Sequence, residues 1–160
     1  MRFIYIFTVL FSLSINAEES VLVHSSFSGS TEVVNNTLII QNGSVSVKNI
    51  KDPIIKIDVS TPNNKIKRVI VRNVHINSSN ANLFGDKEQS SLFQLNLGNK
   101  KTYLNNININ TFSSNITNRT KGASSCAGAL CLKAKSKKSI FVKNVNVHTY
   151  GNNKFESVIK

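Results

Sequence analysis

Val71-Arg72-Asn73-Val74-His75-Ile76 returns as Leu104-Asn105-Asn106-Ile107-Asn108-Ile109 and again as Val142-Lys143-Asn144-Val145-Asn146-Val147, with a fainter copy at Val47-Lys48-Asn49-Ile50. Each copy alternates apolar and polar residues in the period-2 pattern of a strand. In each, the alternation slips by one residue at the polar-Asn pair, so the inward face has to be reset there. That requires a bend, and asparagine is the side-chain-bearing residue that most readily takes the left-handed backbone such a bend needs. The spacings of 24, 33 and 38 residues between Asn49, Asn73, Asn106 and Asn144 fall in the range of stacked supersecondary units.

A second strand recurs between the bends, as Ile55-x-Ile57-x-Val59, Phe93-x-Leu95-x-Leu97 and Leu130-x-Leu132-x-Ala134. Each copy leads into a basic turn, holding Lys65, Lys67 and Arg68, then Lys100 and Lys101, then Lys135, Lys137 and Lys138. One unit therefore reads strand, basic turn, strand, Asn bend, strand, loop. In-register stacking would bring the three basic clusters to one edge, and the Asn/Ser-rich stretches 78–91 and 113–125 are expected as surface loops on another. Asn42-Gly43-Ser44 reads as a turn between two strands. Val21-Leu22-Val23 reads as a first strand or as a cap over an otherwise open sheet end.

At this point the chain resembles the right-handed parallel β-helix, or pectin-lyase-like, superfamily over about residues 38 to 150. The resemblance implies a short solenoid of about four to five rungs, with Asn73, Asn106 and Asn144 stacked on one another at the bends. Lys51-Asp52-Pro53 departs from the pattern by interrupting the first copy. The alternative fold is an antiparallel β-sandwich in which the repeats are hairpins.

Met1-Arg2, the apolar run from Phe3 to Leu13 and the small-residue end at Ala17 have the form of a secretory signal peptide, expected to be cleaved after Ala17. Residues 18–160 then form a single domain with no second apolar run long enough for a membrane span. Cys126 and Cys131, the two cysteines of the chain, are expected to form a local disulfide in oxidising surroundings. The spacing is not that of a thiol oxidoreductase.

Charge carries the functional reading. Lys and Arg number 20 against 8 Asp and Glu, a formal net charge of +12, so an acidic partner is expected. The carboxylates are too few and scattered for the paired acid and base of a glycosidase. Lyases of the resembling superfamily gather acidic residues around calcium, and the nearest approach to that here is Asp86 with Glu88 in one loop. His75 and His148 read as the same repeat position two copies apart with Asn108 between, on the order of 10 Å from each other at the strand spacing, too far to share a metal ion. No catalytic residue, metal or cofactor is expected. The leading expectation is an exported, non-catalytic protein that binds an acidic polysaccharide or cell-surface glycan through Lys65, Lys67, Arg68, Lys100, Lys101, Lys135, Lys137 and Lys138. The alternative is a small secreted polysaccharide lyase or hydrolase. Nucleic acid fits less well, because few aromatics interleave with the lysines.

Overall fold

Val, Ile and Leu at alternate positions, separated by Asn, Ser and Lys, favour a pleated backbone buried on one side, and the computed structural model is nearly all β. It describes residues 11–12, 20–85, 89–118 and 126–157. The strands begin with β1 (Phe11–Ser12), β2 (Ser20–Val23), β3 (Ser30–Val34) and β4 (Thr37–Lys48). They continue with β5 (Ile55–Asp58), β6 (Arg68–Ser79), β7 (Asn82–Gly85), β8 (Gln89–Asn96) and β9 (Lys101–Phe112). The last four are β10 (Asn115–Asn118), β11 (Cys126–Lys133), β12 (Ile140–Tyr150) and β13 (Lys154–Ser157). A 3-10 turn, Lys137–Ser139, precedes β12. No helix among the described residues is long and apolar enough to cross a membrane.

Equivalent strands of successive repeats pair in parallel. The long strands β4, β6, β9 and β12 form one ladder, β5, β8 and β11 a second, and β7, β10 and β13 a third. Pairing between repeats is thus parallel, not the antiparallel pairing of a hairpin-built sandwich. The register of Ile55 with Phe93 and of Phe93 with Leu130 is the one the repeated short strand predicts. Between the ladders lies one apolar core. Ile40, Val71 and Leu104 form one inward column, and Val45, Ile76 and Ile109 another.

Three expectations are corrected. The first copy of the bend is Asn42, not Asn49. Gln41 faces Arg72 and Gly43 faces Val74, so Asn42 stands beside Asn73, and Asn42-Gly43 bends β4 without ending it. Asn49 belongs to a second corner, where Asn49, Asn80, Ser113 and Gly151 all have positive φ. The stretches 78–91 and 113–125 are not simply loops, since they contain β7 and β10, whose Leu83 and Ile116 are buried. Each of these strands is only four residues long, which is too short for alternation to stand out from an Asn/Ser-rich background. Finally, His75 aligns with Asn108 and Asn146, whereas His148 aligns with Asn110 and Asn77. The two histidines are therefore in different columns.

The two ends of the stack differ. At the N-terminal end β3 and β2 run antiparallel to β4 and β5, with β1 paired to β2. Val21-Leu22-Val23 is thus a covering strand. Asn35 and Asn36, with φ of +47° and +59°, make the tight connection from β3 to β4 that right-handed strand twist favours. At the other end β11, β12 and β13 are edge strands. Apart from Phe11 and Ser12, the predicted signal peptide lies outside the described residues.

Candidate functional site

The long-strand ladder carries the site, because strand alternation sends every second side chain outward and the register stacks those side chains into columns. Arg68 sits beside Lys101. Two residues on, Ile39, Ile70, Tyr103 and Phe141 form the next column. Two further on, Gln41, Arg72, Asn105 and Lys143 form the third, immediately before the Asn bend. Tyr103 and Phe141 stack with ring centroids 4.9 Å apart and planes 10° from parallel, and their exposures are 36% and 51%. An exposed aromatic pair is therefore flanked by cations on both sides along the strands.

The cations on this face are held in different ways. Arg72 donates through Nε to Gln41 Oε1 at 2.6 Å, which orients its guanidinium, and Gln41 in turn donates to Glu32 at 3.5 Å. Among the described residues, Arg68, Lys101, Arg72 and Lys143 have no ion-pair partner. Like charges at the strand spacing repel one another until an anion neutralises them.

The first two predicted basic turns adjoin: extending the pairing of Arg68 with Lys101 back by one residue sets Lys67 beside Lys100, and Lys137 and Lys138 of the third lie in the 3-10 turn before β12. Lys67 N–H donates to the Asn36 carbonyl and Lys135 N–H to the Gly98 carbonyl, so each turn rests on the one before. Lys65, Lys67, Arg68, Lys101, Lys135, Lys137 and Lys138 are exposed. Lys100 is not: it is 8% exposed, and its ammonium donates to the Thr61 carbonyl at 3.2 Å. It ties one turn to the next instead of facing a ligand.

Sequence reasoning missed Arg72, Tyr103, Phe141 and Lys143. The signal was present as Arg68-x-Ile70-x-Arg72, Lys101-x-Tyr103-x-Asn105 and Phe141-x-Lys143, all outward positions at fixed offsets before the bend asparagine. Aromatics do interleave with the cations once the strands are in register.

Beyond the bend the outer face is mainly uncharged, with Lys48 at its far end. Asn110 Nδ2 donates to Asn77 Oδ1 at 2.8 Å, and a groove of about 220 Å³ runs beside this pair toward Phe112, Tyr150 and Lys48. Asp58 accepts from the Ser60 hydroxyl at 2.9 Å, and Glu156 pairs with Lys154 at 2.9 Å, so both carboxylates have local structural partners. Asp86 and Glu88 lie outside the described residues. Cys126 and Cys131 are disulfide-bonded with Cα atoms 6.0 Å apart. Of the Asn-x-Ser/Thr sites at Asn35, Asn42, Asn77, Asn115 and Asn118, Asn42 and Asn77 already accept amide bonds, and Asn118 is buried and donates to the Cys126 carbonyl.

No protein-family model, curated protein or solved structure matches this chain.

Proposed function

We propose that the chain is an exported, non-catalytic parallel β-solenoid, similar in architecture to the pectin-lyase-like superfamily, that binds an acidic polysaccharide or cell-surface glycan. The observation that carries this reading is the Tyr103–Phe141 stack standing between Arg68 and Lys101 on one side and Arg72 and Lys143 on the other. Aromatic faces offer apolar surface to the C–H faces of sugar rings, and the cations, one strand apart at Arg68 and Lys101 and two strands apart at Arg72 and Lys143, suit carboxylates or sulfates repeated along a chain. Support for export comes from the form of residues 1–17 and from the disulfide, which is characteristic of oxidising compartments. The solenoid reading rests on the three parallel ladders, each fed once per repeat.

Retention on immobilised polygalacturonate or heparin over a salt gradient tests the proposal. Changing Arg68, Lys101 and Lys143 together to Gln should weaken retention and flatten its salt dependence. Tyr103→Ala with Phe141→Ala should weaken it with the salt dependence preserved. Unchanged retention in both variants would show that this face is not the binding site. Tighter binding of single-stranded DNA, lost in the same variants, would replace the glycan with stacked bases and phosphates.

A further inference from the structure

Among the described residues, the last repeat continues the core pattern into a layer that no other strand covers. Val142 aligns with Leu104 and Val147 with Ile109, yet Val142 is 57% and Val147 43% exposed where Leu104 and Ile109 are 2% and 0%. Leu132 and Phe155 are exposed at the same end, although their register partners Leu95 and Ile116 are fully buried. The eleven residues of β12 also form a free strand edge with no proline, and with Lys143 as its one Lys, Arg, Asp or Glu, to blunt it. Such an edge is a template for another strand.

We infer that this end joins two copies of the chain about a two-fold axis, with β12 pairing antiparallel to β12 of the second copy. The length of the exposed edge is what selects a second copy, and the pattern of β12 about its bend, which β6 and β9 share, admits one. From Ile140 to Val147 the side chains run in, out, in, out, out, in, out, in, and this order is unchanged when read backwards from the midpoint between Lys143 and Asn144. Opposed residues of an antiparallel pair point to the same face. The two-fold register therefore sets Val142 against Val145 of the second copy and Ile140 against its Val147, and superposes both bends. It also places Lys143 opposite Asn144 of the second copy instead of opposite another lysine.

The same axis carries β11 of one copy over β13 of the other. β11, β12 and β13 have eight, eleven and four residues, which together reach the 20 to 30 residues a side of a standard interface, roughly. A head-to-tail contact fits worse. It would set β12 against β3, which has five residues, and leave more than half of the edge unpaired.

Sedimentation of the purified chain in the tens of micromolar should give a closed species of twice the monomer mass. The Val142→Lys, Val147→Lys double variant should sediment as a monomer with the far-UV circular dichroism of the parent. The register has its own readout, which holds even if that variant does not fold. A mixture of Val142→Cys and Val145→Cys chains should form covalent dimers under mild oxidation, and Val142→Cys chains alone should form at least several-fold fewer. A monomeric parent, or mass that grows without limit with concentration, would overturn the proposal. So would equal cross-linking of Val142→Cys alone.

Discussion

Asn106 Nδ2 donates to Asn73 Oδ1 at 3.0 Å, and Asn73 Nδ2 donates to Asn42 Oδ1 at 2.8 Å, with all three backbones between φ +52° and +55°. These amides are exposed, so their hydrogen bonds compete with water and each adds modestly. The larger requirement is conformational, since a left-handed backbone costs an ordinary L-residue about 1 to 2 kcal/mol. Asn106→Ala should therefore cost about 1 to 2 kcal/mol in denaturant melts, Asn106→Gly less, because glycine tolerates the backbone. Asn108→Ala, two residues on in the same strand, should stay within about 0.5 kcal/mol. Equal costs for Ala at 106 and 108 would mean that the repeated asparagine does not hold the bend.

Gly43 and Gly29 fix the N-terminal covering segment to the first repeat. A Cβ on Gly43 would overlap the Gly29 backbone and the Phe27 ring, and one on Gly29 would overlap the Gln41 carbonyl. The contact is closed by Ser28, whose hydroxyl accepts from Ser44 N–H at 2.9 Å and whose N–H donates to the Ser44 carbonyl. Gly43→Ala should cost about 1 to 3 kcal/mol by overpacking. Amide exchange should show the loss first in residues 24–34. Protection of that segment equal to the parent's would contradict the account.

The long strands were legible because each repeats an alternation of eleven or twelve residues around one asparagine, and the short strands β5, β8 and β11 because three apolar positions recur at or just past their ends. Asn42 was not, because Asn-Gly ordinarily signals a turn and only the close approach of Gly29 and Phe27 explains a glycine inside a strand. The candidate site was half visible. Lysine clusters announce themselves by composition, whereas Tyr103 and Phe141 are 38 residues apart and become neighbours only through the register. The inward role of Lys100 has no signal in the sequence that separates it from Lys101.

That difference between adjacent lysines can be measured. Lys100 donates to the Thr61 carbonyl from a buried position, and hydrogen bonds from charged groups contribute about 1.5 to 3 kcal/mol. Lys100→Gln should lower stability by about that much and leave retention on an acidic matrix unchanged for the folded fraction. Lys101→Gln should do the reverse, with a stability change within about 0.5 kcal/mol and measurably earlier elution. If both variants lost retention alike, the turn would act as one electrostatic patch and the separation of roles would be wrong.

The disulfide makes the last prediction. Cys126 and Cys131 belong to one strand, and five residues of straight strand would span about 16 Å, yet their Cα atoms are 6.0 Å apart. The strand must turn between them, and the register shows where: Gly128 faces Ser91 and Leu130 faces Phe93, leaving Ala129 beside Leu92 at the kink. The bridge therefore holds a corner of the second ladder, at the end where β11 is an edge strand. A loop this short removes little chain entropy, so the paired Cys126→Ser, Cys131→Ser variant should lose about 2 kcal/mol. Because β11 pairs on one side only within its own chain, the loss should localise, with exchange protection falling in residues 126–133 while β6 and β9 keep theirs. Uniform loss of protection across all three ladders would show that the bridge stabilises the whole stack and not this corner.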